Sequence, residues 1–205
     1  MRIEYRDGFA ILHMQMGKAN AISPSFLAAA LKALDELEEQ SVNCIILTGY
    51  DKYFSAGLNL LELWEYNRIQ LLEFVQQFEA VFVRILRLPQ IVIAAINGHA
   101  IAGGAILAQL ADYRIMVDGD LRIGVNEIDL GIPFPRQILE ILKERLPRAS
   151  YFDVLYRGLL FPPQEALRVG LIDEISAPES LEQRAILLAT ELAAKSKTAL
   201  ACIKH

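Results

Sequence analysis

Much of the usual equipment for special chemistry is missing from this sequence. It has two cysteines in 205 residues, Cys44 inside an apolar run and Cys202 near the end, so no disulfide framework is indicated. Its three histidines, His13, His99 and His205, are scattered, so no metal site is expected. No run of lysine or arginine appears and the formal net charge is -5, which argues against nucleic acid as a partner. No apolar run is long enough to span a bilayer, so no membrane partner is expected. Met1-Arg2-Ile3-Glu4 brings an acid before any apolar stretch and does not read as a signal peptide. G-x-x-x-x-G-K-[ST] and G-x-G-x-x-G are both absent, excluding the common nucleotide cradles. G-x-S-x-G is absent too, so there is no nucleophile elbow. A cytoplasmic location is the default expectation, or the mitochondrial matrix or peroxisome for a processed eukaryotic chain.

What is present suits a well-packed domain: 54% of residues are hydrophobic and 22% charged. Residues 2–6 and 9–15 read as strands about the turn Asp7-Gly8. Ser23-Pro24 is a helix start, and Leu27, Leu31, Leu34 and Leu37 recur at helical spacing to about Glu39. Val42 to Thr48 and Ile91 to Ile96 are short apolar runs expected as buried strands, with 49–57 a loop. A long helix is predicted over 68–87, ended by Pro89. Strands follow near 113–117 and 121–123, helices over 135–145, 148–157 and 163–169, a strand at 171–175 and a last helix over 178–196. Buried strands alternating with helices predict an α/β core with largely parallel strands. Polarity shifts near residue 132, and a soft boundary is placed there, between 1–132 and a helical region 133–205.

Two loops at strand ends are rich in small residues, Phe54-Ser55-Ala56-Gly57-Leu58-Asn59-Leu60 and Asn97 to Gly104. Gly103-Gly104 opens an otherwise apolar helix, although glycine costs about 1 kcal/mol against alanine within a helix. Two readings are open. The glycines let the helix pack closely on the sheet, which periodicity alone favours. Alternatively, backbone N–H groups from the two loops cradle one oxygen that becomes negative during a reaction.

These stretches, with Ala94-Ala95-Ile96-Asn97-Gly98-His99-Ala100-Ile101-Ala102-Gly103-Gly104-Ala105 and Asp112-Tyr113-Arg114-Ile115, resemble the enoyl-CoA hydratase/isomerase (crotonase) superfamily over about residues 8 to 196. The resemblance implies a spiral core of repeated ββα units followed by a C-terminal helical region. It also implies a substrate in which coenzyme A is part of the molecule, so that no separate cofactor is needed, and a homotrimer or dimer of trimers. In that family two backbone N–H groups hold the thioester oxygen as it becomes an enolate. They are carried over here to Ala56 and Gly103, and one such donor is worth about 2.7–4 kcal/mol of barrier.

Ile123-Gly124-Val125-Asn126-Glu127-Ile128-Asp129-Leu130-Gly131-Ile132 and Gly158 to Leu167 are similar to mitochondrial-type Δ3,Δ2-enoyl-CoA isomerases. Hydratases carry two glutamates. The resemblance puts one at Glu127, while position 106 holds Ile106. A double-bond shift needs one proton moved from C2 to C4, which one carboxyl can do, and a drier pocket disfavours water addition. The expectation is therefore isomerisation of a 3-enoyl-CoA to the 2-trans-enoyl-CoA. Glu127 acts as base and then acid, with its pKa raised by burial.

The resemblance also gives Asn126 a place by the thioester. It places Lys18, Ala19 and Ala21 in a first coenzyme A loop, where Lys18 is equally well an ordinary surface lysine, sets the backbone around Ser55, Gly57 and Leu58 along the adenine and pantetheine, and adds Asn59 and Leu60 to the substrate-binding residues. Leu60, Leu61 and Trp64 read either as acyl-pocket walls or as a helix core stripe. Asp129 is a second acid candidate that reads better as a solvated loop residue. His99, Asp112 and Arg114 read as structural, and Lys195, Lys197 and Lys204 as lysines that approach the nucleotide at best. Alternative functions are an enoyl-CoA hydratase, a hydrolase of the same fold, or a non-catalytic acyl-CoA-binding protein.

Overall fold

The computed structural model describes residues 1–204. A hairpin of β1 (Arg2–Arg6) and β2 (Phe9–His13) precedes α1 (Pro24–Glu39), β3 (Cys44–Thr48) and β4 (Tyr53–Ser55). The chain continues through α2 (Leu60–Leu63), α3 (Arg68–Leu86), β5 (Ile91–Ile96), β6 (His99–Ile101) and α4 (Gly103–Gln109). Then come β7 (Tyr113–Val117), β8 (Ile123–Gly124), α5 (Arg136–Arg145), α6 (Pro163–Val169), β9 (Glu174–Ser176), α7 (Leu181–Ala193) and α8 (Lys197–Lys204).

Two sheets result. The larger runs β1-β2-β3-β5-β7-β9 and is parallel except for the first pair; the smaller runs β4-β6-β8 and is wholly parallel. The chain visits the large sheet, then the small one, then a helix, three times over: β3-β4-α2/α3, β5-β6-α4 and β7-β8-α5. This is the ββα spiral expected from the resemblance.

Both faces of the large sheet are covered at its inner strands, which is why β2, β3, β5 and β7 are apolar at nearly every position, unlike β1 and β9 at the edges. Ala10, Leu12, Ile45, Leu47, Val92 and Ala94 face the core shared with α1, α3 and α4. Phe9, Ile11, Cys44, Ile46, Ile93 and Ala95 pack with Leu181, Ala185 and Ala189 of α7. The helix starts follow local chemistry. Ser23 Oγ accepts the Phe26 N–H at 3.1 Å ahead of Pro24, and Asn67 with Gln70 closes a reciprocal capping box at the head of α3.

Several boundaries differ from expectation. The loop expected over 49–57 contains β4, and the residues between Asn97 and Gly103 contain β6. The helix expected over 148–157 is a 3-10 turn at Arg148–Ser150 followed by one wide π turn at Phe152–Tyr156. The strand expected at 171–175 forms at Glu174–Ser176. Leu171 is still part of the α6 cap: its N–H reaches back to Ala166 O at 2.9 Å, around left-handed Gly170. The helix expected over 178–196 is α7, which begins at Leu181 after a 3-10 turn at Pro178–Ser180 and ends at Ala193, and α8 follows it. Among the described residues no helix is long and apolar enough to cross a membrane.

Candidate active site

Three consecutive strands of the small sheet each end just before a group of chemical interest. Leu58 lies three residues past β4, Gly103 two past β6 and Glu127 three past β8. Ligands in parallel α/β sheets gather beyond the carboxyl ends of the strands, and this is such an end.

Glu127 opens a 3-10 turn, Glu127–Leu130, and is 5% exposed. Its Oε2 is buried with no hydrogen-bond partner. Burial pushes its pKa up to about 7, opposed weakly by a hydrogen bond from its own backbone. Asn126 beside it also has a buried, unpartnered Oδ1. Unsatisfied buried acceptors are uncommon in a folded chain, and these two adjacent ones lie on a cavity wall. Asp129, in the same turn, is exposed.

The glycines bring the backbone of two loops together. A Cβ on Gly57 would lie 2.8 Å from Ile101 O and 3.0 Å from the Gly103 nitrogen; one on Gly103 would lie 3.7 Å from the Leu58 nitrogen. Gly103 is the first residue of α4, so its N–H has no intrahelical acceptor. Ala102 before it holds φ 51 and ψ -124, a strained conformation for a residue with a Cβ.

One expected donor needs correcting. The Ala56 N–H is already donated to Ala19 O at 3.0 Å, so it does not face a ligand. Three residues on, the Asn59 N–H bonds Ile22 O at 2.9 Å, while between them the Leu58 N–H has no partner among the described residues. The amide pair left free to converge on one oxygen is therefore Leu58 with Gly103. Ala56 instead lines the cavity.

Three cavities lie in series around these groups. A cleft of about 470 Å³ is bordered by Lys18, Ala19, Ala21, Leu58, Asn59 and Leu60. It shares Leu58 and Leu60 with a cavity of about 80 Å³ that also touches Ala56, Ala102, Asn126 and Glu127. Beyond Glu127 and Ile132 an apolar cavity of about 60 Å³ reaches Phe74, Phe78, Ile106 and Phe134. Ile106, at the position of the absent second acid, thus faces the same space as Glu127.

Other residues sort differently from expectation. Ser55 is fully buried: its Oγ donates to Asn20 O at 2.8 Å and accepts the Gly57 N–H at 3.2 Å, so its side chain braces the loop. Leu60 and Leu61 border the wide cleft rather than the apolar cavity beyond Glu127, and Leu61 and Trp64, 89% and 86% exposed, form no core stripe. Lys204 is engaged elsewhere: its buried Nζ pairs with Asp112 at 2.7 Å and donates to Gln90 O at 2.7 Å. Arg114 pairs with Asp173, and His99 Nδ1 accepts the Arg122 N–H at 3.1 Å, both structural roles.

Asn20 is the residue sequence reasoning passed over. Fully buried, at φ 49, it donates to Met14 O at 2.7 Å and Phe54 O at 3.1 Å and accepts the Met16 N–H at 2.8 Å. It ties the first loop to the β4 loop that carries Leu58. Its signal was an asparagine between two alanines after a glycine, since asparagine tolerates left-handed backbone.

The description "Enoyl-CoA hydratase/isomerase" fits the family model that matches residues 4–205. The chain is 34% identical over 185 residues to the mitochondrial enoyl-CoA delta isomerase 1 of Rattus norvegicus, covering 89% of this chain and 64% of that one. It is 32% identical to a putative enoyl-CoA hydratase of Thermus thermophilus, over 92% of this chain and 75% of that one. The chain thus spans just under two thirds of the rat isomerase. A Mycobacterium tuberculosis protein solved as a probable enoyl-CoA hydratase superposes with a TM-score of 0.92 at 32% identity, covering 99% of this chain and 86% of that one. The same Mycobacterium tuberculosis protein, solved a second time as an enoyl-CoA isomerase, gives 0.91 at 32% identity, over 99% and 88%. Spiral, cavities and comparisons agree: the chain belongs to the enoyl-CoA hydratase/isomerase family.

Proposed function

We propose that the protein is an acyl-CoA isomerase that shifts the double bond of a 3-enoyl-CoA to give the 2-trans-enoyl-CoA, with no cofactor besides the coenzyme A of its substrate. The nucleotide and pantetheine occupy the wide cleft along Lys18, Ala21 and Asn59. The thioester oxygen sits on the N–H groups of Leu58 and Gly103, and the acyl tail passes Glu127 into the apolar cavity. Glu127, as carboxylate, takes a proton from C2. The C–H electron pair enters the π system, the double bond moves, and the dienolate oxygen carries the charge. The same carboxyl, now protonated, returns the proton to C4, and the electrons collapse to the conjugated thioester.

The observation that carries this reading is a buried carboxyl with an unpartnered oxygen, facing Ile106 across an apolar cavity. One acid suffices for a proton shuttle, while activating water calls for a second polar group. Hydratase names are as frequent as isomerase names among the relatives, and hydration by Glu127 is the second reading.

Proton NMR of 3-hexenoyl-CoA incubated with the protein separates them. The expected result is loss of the C3–C4 olefinic pattern and growth of the C2–C3 one. A 3-hydroxyacyl product from the 2-enoyl thioester, without migration of the 3-enoyl bond, would sink the isomerase reading. Assembly as a homotrimer or dimer of trimers belongs to the same proposal. It is supported by the exposed apolar side chains Ile128, Leu130, Phe152 and Tyr156. Light scattering that returns a monomer mass contradicts it.

A further inference from the structure

The cavity beyond Glu127 is small and stiff. Phe74, Phe78 and Ile106, on its wall, are 3%, 5% and 2% exposed. Phe78 packs between Phe74, at 6.5 Å between ring centroids, and the fully buried Phe82, at 4.0 Å, so its ring is held by the core of α3. Across from α3 the lining turn Ile132-Pro133-Phe134-Pro135 holds two prolines, which fix the backbone. Its volume is about 60 Å³. An apolar void of about 150 Å³ admits benzene, so this one admits roughly two or three carbons.

We propose that this cavity limits the enzyme to short acyl chains, with Phe78 as the residue that sets the limit; the inference rests on the acyl-CoA reading above. With the thioester carbon at the two amides and C2 to C4 alongside Glu127, only C5, C6 and about one more carbon fit past the carboxyl. A hexenoyl chain fills the cavity. A dodecenoyl chain must leave its tail in water or force the aromatic packing of α3 apart.

The test uses saturated butanoyl-, hexanoyl-, octanoyl- and dodecanoyl-CoA, which do not turn over, in calorimetric titrations of the intact protein. Affinity is expected to rise about fourfold per added methylene from butanoyl to hexanoyl, as burial of a methylene predicts. It should then stop rising, with dodecanoyl-CoA bound at least tenfold more weakly than hexanoyl-CoA. In Phe78→Ala the ratio of dodecanoyl to hexanoyl affinity should rise at least tenfold. Phe78→Leu, a milder change that keeps the core filled, should move it the same way by a smaller factor. Affinity that keeps climbing through dodecanoyl-CoA, or a ratio unchanged in a folded variant, overturns the chain-length proposal while leaving isomerisation untouched. Failure of every acyl-CoA to bind overturns the acyl-CoA reading itself.

Discussion

Glu127 is held where its ionised form is poorly solvated, and this has opposite consequences for catalysis and stability. Its pKa stands near 7 in the fold against 4.5 as the reference. The base form is needed to take a proton, so kcat/KM should fall about tenfold per pH unit below 7 and level off above it. A profile flat between pH 5 and 8 would exclude Glu127 as the base. For stability, the folded chain keeps a proton that the unfolded chain releases between pH 4.5 and about 7, so stability is lost as pH rises through that window. Glu127→Gln removes this loss. Its stability relative to the natural protein should improve by on the order of 3 kcal/mol between pH 4.5 and pH 8 in urea unfolding, while isomerisation drops about 10²- to 10⁴-fold. Ala102, too, bears on stability, through a strained backbone at the site. Ala102→Gly should raise the urea midpoint, since relief of about 1–3 kcal/mol of strain exceeds the entropy that glycine adds. At this scale Glu127 was legible because an Asn-Glu pair in a family-like stretch names a side chain. The free amide was misassigned by two residues because an N–H leaves no mark in the sequence. Which one is spent on Ala19 O is decided by a loop from elsewhere in the chain.

The large sheet and the long helices announced themselves through apolar runs and caps. The small sheet did not. β4, β6 and β8 have three, three and two residues, too short to display any period, yet they position the whole site. Gly104 shows how tightly this layer is built: a Cβ there would stand 2.1 Å from Ser55 O, a backbone atom that cannot yield. Gly104→Ala should therefore lower thermal stability sharply and cost activity with it; a variant melting within a degree or two of the parent would contradict the packing described. The wide π turn at Phe152–Tyr156 was read as ordinary helix because its side chains follow a helical pattern, while the backbone bonding does not.

Across the whole molecule, α8 is fastened by a buried charge pair. Lys204 reaches Asp112, which also accepts the Val92 N–H at 2.9 Å and lies 3.6 Å from Arg145. Burial lowers the Lys204 pKa, and Asp112 opposes that shift. Lys204→Ala strips Asp112 of its closest cation while leaving Arg145 and the amide. It should destabilise by about 2 kcal/mol, below the loss for a fully buried pair. Denaturant unfolding checks this, and acyl-CoA affinity should be unchanged.

In the small sheet, neighbouring strands stand about 4.8 Å apart through peptide bonding alone. The interval between the strand ends that carry Leu58, Gly103 and Glu127 is thus a ruler written in main chain. A protein built on such a ruler can be retooled by exchanging the one or two residues that handle protons, with the anion seat left standing.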